Sequence, residues 1–199
     1  LSRRQRQMCI RDSYVSIRMA NIVIARIGEC TDITDFERRD FLGRAYFIRA
    51  YSYYTLMMQY GPVPIVPDQA FPTNASVDQM SYPRATYTEC VEKICSDFEQ
   101  AASLLKAADE RDASTYRIPT SGAALALMSR VRLEAASPWF NGNKYYYDFL
   151  RSSDNQPYFP QNYDSHKWAV AAVAAKRVID LNLYLSLIHI SEPTRPRLI

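Results

Sequence analysis

The segment from Arg38 to Asp68 reads RRDFLGRAYFIRAYSYYTLMMQYGPVPIVPD and decides the fold of this chain. Its apolar and aromatic residues recur at the three- and four-residue spacing of one helical face, which predicts an amphipathic helix over Asp35 to Tyr60. Gly61 suits the left-handed conformation that ends a helix, and Pro62 cannot donate the next backbone hydrogen bond. We predict that the buried face is formed by Leu42, Ala45, Tyr46, Arg49, Tyr53, Leu56, Met57 and Tyr60.

A stiff apolar segment follows the helix at once. We call residues Val63 to Pro67, VPIVP, the proline strap. Its prolines hold the backbone extended, and because they lack an N–H group they keep it out of a central β-strand. An extended apolar segment must lie against other apolar surface, so we expect the proline strap to pack on the helices.

Both ends of the chain carry segments that we interpret as translated sequencing-library adaptor. Met8 to Ser13, MCIRDS, can be encoded by ATGTGTATAAGAGACAG, and Leu185 to Ile190, LSLIHI, by its reverse complement, CTGTCTCTTATACACAT. Two unrelated stretches of a natural protein have little reason to encode opposite strands of one DNA sequence. Residues 1–13 and 185–199 are therefore interpreted as artefact, and residues 14–184 as part of one helical domain.

The net charge changes when these terminal segments are left out. The whole chain has 24 Lys and Arg against 21 Asp and Glu, a formal charge of +3. The terminal segments contain six arginines and two acidic residues, so 18 basic and 19 acidic residues remain, a charge of −1. The basic cluster at residues 2–7 then carries no biological meaning, and we expect no nucleic-acid partner.

Few side chains between residues 14 and 184 could support metal or covalent chemistry. This region has no metal-ligand spacing and no glycine-rich phosphate loop, and its single histidine is His166. Cys90 and Cys95 lie about 140° apart around one predicted helix, so they cannot pair with each other without breaking it. We interpret them, with Cys30, as small buried residues, and we expect no catalytic residue, no metal and no cofactor.

The remainder of the chain alternates helical patterns with loops. Thr86 and Glu89 form a capping-box pattern at one helix start, and Thr120 can cap the next helix. Strand signals are few, and no strict period of about 34 residues can be laid over the helices. We predict an all-α fold of tetratricopeptide-like helical pairs with long loops, its first helix at Tyr14–Gly28 and its last at Ser165–Leu181. The inward face of the last helix is predicted as Trp168, Ala171, Ala172, Ala175, Val178 and Ile179.

The string GRAYFIRAY at Gly43–Tyr51, followed by YGPVPI at Tyr60–Ile65, strongly resembles the hallmark of SusD/RagB-type nutrient-binding lipoproteins. In that family an Ala-Arg-Phe-Leu-Arg-Ala-like helix precedes a Tyr-Gly-Pro-Val-Pro turn. Four further segments resemble the family's other helices and occur in the same order. They are Tyr14–Ile27, Tyr82–Ala101, Pro119–Pro138 and Trp168–Tyr184.

The resemblance implies a SusD-like, mainly helical fold that supports a loop-rich ligand-binding portion. It implies a surface-exposed lipoprotein of the cell outer membrane that captures an oligosaccharide or another nutrient, without a catalytic step. The captured nutrient would pass to a SusC-like TonB-dependent transporter. The signal peptide and the lipid-bearing cysteine are expected outside this fragment, so Cys30 is not that anchor, and the membrane is contacted only through the lipid.

The most plausible ligand-binding segment is the aromatic loop, which we define as Ser137 to Asp164. Sugars stack their C–H faces on aromatic rings, while amide and carboxylate side chains hydrogen-bond the hydroxyls. The alternative is that the same rings pack the loop onto the helices, because large side chains are usually buried. The candidate ligand-binding residues are Trp139, Asn141, Tyr145, Tyr146, Asp148 and Tyr158.

Two other functions remain open on the residues alone. An intracellular helical-repeat scaffold that binds peptides would share the helix series but does not require the proline strap. A helical glycoside hydrolase would need two carboxylates that face each other across a sugar, and Asp148, Asp154 and Asp164 are present in the aromatic loop. The sequence does not pair these carboxylates.

Overall fold

The computed structural model describes residues 3–69, 76, 78–110 and 116–184, and in this part the chain is built from five α-helices without a β-strand. The all-α prediction is confirmed. Short 3₁₀ helices occupy three of the connections, at Ile27–Glu29, Asp78–Met80 and Lys144–Tyr146. The α-helices are α1 at Arg3–Arg26, α2 at Asp35–Tyr60, α3 at Tyr87–Leu104, α4 at Ser121–Ala136 and α5 at His166–Ile179.

Local side-chain chemistry fixes where three of these helices begin. At the start of α3, the Thr86 side chain accepts from the Glu89 N–H at 3.2 Å, and the Glu89 carboxylate accepts from the Thr86 N–H at 2.6 Å. Thr120 caps α4, as its position predicted. A second capping box, Thr34 with Glu37, starts α2 and was not identified in the sequence. These caps satisfy amides that the first helical turn leaves unpaired.

Each helix packs against the next one along the chain, α1 on α2, α2 on α3, α3 on α4 and α4 on α5. Five residues of the predicted inward face of α2 are buried, and the other three, Leu42, Tyr46 and Tyr60, are half-buried. Tyr53, Leu56 and Met57 are buried, and Arg49 lies among them with 1% of its surface exposed. Phe98 and Ile94 of α3 complete the centre of this core.

Gly61 ends α2 with a φ of 71°, as predicted, and the proline strap then packs on the helices. Tyr14 of α1 donates its hydroxyl hydrogen to the Pro64 carbonyl at 2.8 Å. Asn21, two helical turns further along α1, donates its side-chain amide hydrogen to the Pro67 carbonyl at 3.2 Å. The strap is therefore tied to α1 by hydrogen bonds that replace those of a β-sheet.

The predicted start of the first helix is wrong, because α1 begins at Arg3 instead of Tyr14. No proline or glycine interrupts residues 3–13, so the helix extends through the segment interpreted as adaptor. Side chains at residues 6–12 are exposed, and the first buried side chain of α1 is Ile17. The other segment interpreted as adaptor, 185–199, lies outside the described residues.

The predicted inward face of the last helix is also partly wrong. In α5 the buried residues are Ala171 and Ala174, while Trp168 is 40% and Ile179 71% exposed. Apolar residues surround α5 on most sides, so their spacing does not select one face. The buried side chains of α5 are small alanines, and Val178, half-buried against the core, is the larger residue of the predicted face that does pack inward.

Candidate functional site

The aromatic loop begins where α4 ends and folds back onto the start of α3. The Tyr87 N–H donates to the Tyr158 carbonyl at 2.7 Å, which fixes the returning half of the loop on the first residue of α3. Within the loop, the Tyr158 N–H donates to the Phe149 carbonyl at 3.1 Å, beside an isolated antiparallel bridge between Leu150 and Pro157. The loop is therefore an ordered structure with its own backbone pairing.

A stack of aromatic rings fills the space between the loop and the helices. The Tyr87 ring stacks on Phe140 with centroids 4.6 Å apart and on Phe159 at 5.3 Å. On the outer side, Tyr146 stacks on Phe159 at 4.3 Å. Tyr87 and Phe159 are buried, and burial raises the pKa of the Tyr87 hydroxyl well above its usual value. Part of the loop's aromatic content therefore packs the loop onto the helices.

A buried amide holds the two ends of the aromatic loop together. Asn141, 2% exposed, accepts from the Asp164 N–H at 3.0 Å and donates to the Asp164 carbonyl at 2.8 Å. The neighbouring Gly142 has a φ of 75° and donates its N–H to the Pro160 carbonyl at 3.2 Å. A Cβ at Gly142 would lie 2.8 Å from the Asn162 carbonyl carbon, so only glycine fits.

The six candidate ligand-binding residues divide into three groups by exposure. Asn141 and Tyr158 are buried, and the amide of Asn141 is occupied by the loop backbone. Tyr146 is half-buried in the aromatic stack. Trp139, Tyr145 and Asp148 are exposed. A ligand that approaches from solvent would meet the three exposed residues and the outer face of Tyr146.

Three of these residues form the exposed aromatic surface, which we define as Trp139, Tyr145 and Tyr146. Trp139 is 58% and Tyr145 83% exposed. Each ring meets Tyr146 edge to face at 87°, with centroid distances of 6.1 Å for Trp139 and 5.4 Å for Tyr145. Tyr146 is itself fixed on the buried stack, so two solvent-facing rings stand on a rigid support.

A second pair of exposed rings lies at the start of α5. The Trp168 indole Nε1–H donates to the Tyr163 hydroxyl at 3.1 Å, and Tyr163 is 60% exposed. Because Trp168 was predicted to be buried, sequence analysis did not identify this pair. No signal in the sequence distinguishes Trp168 from a buried tryptophan, because the apolar residues of α5 do not show which face of the helix packs on α4.

The carboxylates considered for a hydrolase are mostly engaged in holding the loop. Asp154 makes an ion pair with Arg151 at 2.5 Å, and that interaction lowers the pKa of Asp154. Asp164 accepts from the His166 N–H at 2.9 Å. Asp148 is exposed. Two of the three carboxylates are therefore already engaged in contacts within the protein.

A buried ionic cluster below the proline strap explains the arginine on the apolar face of α2. Arg49 donates from Nε and Nη2 to both carboxylate oxygens of Asp97 at 2.8 and 2.6 Å. It also donates to Asn21 at 2.7 Å and pairs with Asp68 at 2.9 Å. Burial opposes the charge, but these partners outweigh it and raise the pKa of Arg49. This cluster is structural.

The described parts of the chain show neither a metal site nor a membrane span. No three His, Cys, Asp or Glu residues lie close enough together there to hold a metal ion. None of the helices in the same ranges is both long enough and apolar enough to cross a membrane.

The chain is similar to one protein family in sequence. The family model described as SusD-like, starch-binding associating with outer membrane, matches residues 5–133, more than half of the chain. No curated protein sequence matches the chain.

Solved structures share the helical arrangement. The protein BT4246 is 24% identical, with a TM-score of 0.73 over 85% of this chain and 29% of its own length. A SusD-like protein of Bacteroides fragilis, BF3747, is 30% identical, with a TM-score of 0.57 over 64% of this chain and 24% of its own. A SusD-like carbohydrate binding protein of the same species, BF0978, is 16% identical, with a TM-score of 0.61 over 85% of this chain and 26% of its own. The chain spans less than a third of each.

Proposed function

The chain belongs to the SusD-like family, described as starch-binding and associating with the outer membrane, and on this premise we propose that it captures a glycan at the exposed aromatic surface. The observation that carries the proposal is the pair of solvent-facing rings, Trp139 and Tyr145, on a buried aromatic support. Family membership confirms the resemblance found in the sequence.

The chemistry of the exposed aromatic surface fits a sugar. A pyranose ring presents C–H groups on its faces and hydroxyls around its edge, so it stacks on aromatic rings and hydrogen-bonds at its rim. Trp139 and Tyr145 provide two such faces, and the exposed Asp148 provides a carboxylate close by in the chain. The rings are held in place before binding, which reduces the entropy lost when a ligand is ordered.

The proposed role is binding without a catalytic step. Two of the three carboxylates that a hydrolase could use, Asp154 and Asp164, already hold the loop backbone and Arg151. A neighbour with the same fold, BF0978, is described as carbohydrate binding. Both points support capture of a glycan in preference to its cleavage.

We further propose that the protein acts as a surface-exposed lipoprotein and delivers its ligand to a SusC-like TonB-dependent transporter. The support is the family's described association with the outer membrane. The test is recovery of the complete protein with a transporter after mild detergent extraction of its native membrane. Recovery in the cytosolic fraction would contradict this part of the proposal and favour the intracellular peptide-binding scaffold.

Binding to a glycan panel that includes starch oligosaccharides tests the ligand proposal. The double variant Trp139→Ala, Tyr145→Ala removes both exposed faces and should weaken binding about tenfold or more, since stacked aromatic contacts contribute roughly 0.5–1.5 kcal/mol each beyond their area. Tyr51→Ala is the matched control, because Tyr51 is also exposed, at 50%, but lies on α2 outside the loop. Unchanged affinity in the double variant would place the glycan elsewhere.

A further inference from the structure

The second pair of exposed rings, Tyr163 and Trp168, lies outside the exposed aromatic surface and has no part in the function proposed for it. Tyr163 is 60% and Trp168 40% exposed. The indole Nε1–H of Trp168 donates to the Tyr163 hydroxyl at 3.1 Å, so the two side chains are held together before any ligand binds. A hydroxyl that accepts one hydrogen bond still has its own hydrogen to donate. Because no described residue accepts that hydrogen, it is available to a ligand.

The aromatic loop brings this second pair next to the exposed aromatic surface. Gly142 lies three residues after Trp139 and three residues before Tyr145. It packs on the backbone of Tyr163, since a Cβ added at Gly142 would lie 2.8 Å from the Tyr163 Cα. Because three residues of chain span at most about 11 Å and this contact adds about 4 Å, the Cα atoms of Trp139 and Tyr145 each lie within roughly 15 Å of the Tyr163 Cα. The two pairs therefore belong to one small region of the surface.

Two asparagines fix the backbone that carries both pairs. The buried side chain of Asn141 accepts from the Asp164 N–H at 3.0 Å and donates to the Asp164 carbonyl at 2.8 Å. The side chain of Asn143 donates to the Trp139 carbonyl at 3.3 Å and accepts from the Tyr145 N–H at 3.0 Å. The positions of the rings are thus set before binding, which reduces the entropy lost when a ligand is ordered.

A free side-chain amide lies where the two pairs meet. The carbonyl carbon of Asn162 takes part in the same close contact, 2.8 Å from a Cβ added at Gly142. Asn162 is exposed, and its side chain forms no hydrogen bond with any residue in the described ranges. A side-chain amide both donates and accepts hydrogen bonds, which suits it to the hydroxyls of a sugar. This amide differs from those of Asn141 and Asn143, which the loop backbone already occupies.

We propose that the captured glycan is an extended oligosaccharide that continues from the exposed aromatic surface onto Tyr163 and Trp168, with Asn162 bonded to hydroxyls between them. This inference rests on the function proposed above, because it extends the same ligand to a second pair of rings. A pyranose ring is similar in size to one aromatic side chain, so a single sugar unit cannot cover rings on both segments. A chain of several units can stack on both pairs.

The dependence of affinity on glycan length tests the inference. Calorimetric titration of the chain compares maltose with maltohexaose, cellobiose with cellohexaose and xylobiose with xylohexaose. In a series that binds, we expect the hexasaccharide to bind at least tenfold tighter than the disaccharide, because only the longer chain reaches both pairs. Equal affinities would overturn the extended site and leave the exposed aromatic surface as a binding site. Binding of none of the six glycans would overturn both proposals.

Two double variants separate the contributions of the two pairs. Tyr163→Ala, Trp168→Ala should weaken hexasaccharide binding about tenfold or more and leave disaccharide binding unchanged. Trp139→Ala, Tyr145→Ala should weaken the binding of both lengths. Full hexasaccharide affinity in the first variant would overturn the inference alone. Loss of both lengths in the first variant, with full binding in the second, would place the whole ligand on the second pair and contradict the function proposed for the exposed aromatic surface as well.

Further variants distinguish ring contacts from general effects on α5. Val173→Ala, Ile179→Ala removes side chains that are 62% and 71% exposed on the same helix, so glycan binding should not change. Tyr163→Ala alone covers the case in which the double variant fails to fold, and it should weaken hexasaccharide binding about threefold or more. Tyr163→Phe keeps the ring and should retain more affinity than Tyr163→Ala. Equal losses in these two variants would contradict stacking on Tyr163.

Discussion

Arg49 shows how one residue can organise three helices. Its guanidinium, 1% exposed, lies on the apolar face of α2 and reaches Asn21 on α1 and Asp97 on α3. Asp68, which follows the proline strap, closes the cluster and also accepts from Lys93 at 2.7 Å. A buried ion pair adds little net stability, but removing one partner leaves an uncompensated charge. The cluster therefore acts mainly to specify how α1, α2 and α3 are arranged.

Replacing Asp97 with asparagine tests this role. Asp97→Asn keeps the shape and removes the charge that faces Arg49, so we expect a loss of about 3 kcal/mol in the free energy of unfolding. The control is Asp180→Asn, which breaks an exposed pair with Lys176 and should change stability by less than about 1 kcal/mol. Urea denaturation of both variants measures the difference. An equal loss of stability in the two variants would show that another group compensates the charge of Arg49.

The buried thiols of α3 give a prediction about pH. Burial raises the pKa of Cys90 to about 11 and that of Cys95 to about 12. Both values exceed the ordinary thiol value of about 8.5, so folding favours the protonated form. The stability linked to these two groups is fully present below that ordinary value and is lost as the pH rises through the folded values.

Alkylation kinetics and denaturation measure this effect. The interpretation of Cys30 as a buried residue is wrong, because the structure exposes it after the first helix. At pH 8 iodoacetamide should therefore modify Cys9 and Cys30 rapidly, and Cys90 and Cys95 only when the protein opens. The free energy of unfolding should fall as the pH rises from about 8.5 through about 11 for Cys90 and about 12 for Cys95. A Cys90→Ala, Cys95→Ala variant provides the control, because its pH dependence in this range should be smaller. Equal alkylation rates at all four cysteines in the folded chain would contradict the assigned burial.

Among the elements, the proline strap joins three helices through side chains that bind its backbone. The Tyr53 hydroxyl of α2 accepts from the Val66 N–H at 2.9 Å. From α3, the Cys90 thiol lies 3.6 Å from the Val63 carbonyl, which also accepts from the Ala85 N–H at 3.2 Å. With the two bonds from α1, side chains of three helices bind backbone groups of the strap. The strap also forms one isolated antiparallel bridge, between Pro64 and Arg84, and its prolines keep this pairing from extending into a sheet.

The backbone of the aromatic loop depends on the conformation that glycine adopts at Gly142. Gly142→Ala would force a left-handed backbone on alanine and push its Cβ into the backbone of Asn162 and Tyr163, so we expect a loss of about 2–3 kcal/mol. Gly28→Ala is the matched control, because nothing lies within 4 Å of an added Cβ there. Thermal unfolding of both variants gives the comparison. If the two glycines tolerate alanine equally, the loop backbone is not fixed at Gly142.

The molecule as a whole is a helix series whose outer faces remain apolar. Between α1 and α2 an apolar groove of about 740 Å³ includes Met19 and Ile48, which are 59% and 48% exposed. At the other end, α5 presents Val173 and Ile179, which are 62% and 71% exposed. In helical arrays each helix is covered by its neighbours, so the terminal faces expose apolar side chains.

Deletion of the N-terminal segment tests its interpretation as adaptor. Because residues 6–12 are exposed, removal of residues 1–13 should change the free energy of unfolding by less than about 0.5 kcal/mol. Removal of residues 1–22 is the contrasting deletion, since it also eliminates Ile17 and Asn21 and should destabilise the chain by several kcal/mol, on the order of 3–5. Circular dichroism with urea measures both. A large effect of the shorter deletion would show that the segment supports the fold.

The sequence by itself determined the all-α class, the limits of α2, the cap positions at Thr86 and Thr120 and the extended strap. These features depend on local chemistry. A threonine hydroxyl reaches an amide three residues away, and glycine or proline ends a helix where it stands. Neighbours in the chain are sufficient to decide them, and the family resemblance rests on the same short segments.

Only the tertiary structure decided which side chains are covered and which charges are paired. Asn21 and Asp97 lie 28 and 48 residues from Arg49 in the chain, and no local pattern identifies them as its partners. In the same way, the sequence grouped Asn141 with Trp139 as candidates, whereas packing buried the first and exposed the second. Burial and pairing depend on distant segments, so the exposed aromatic surface exists only once the helices are assembled.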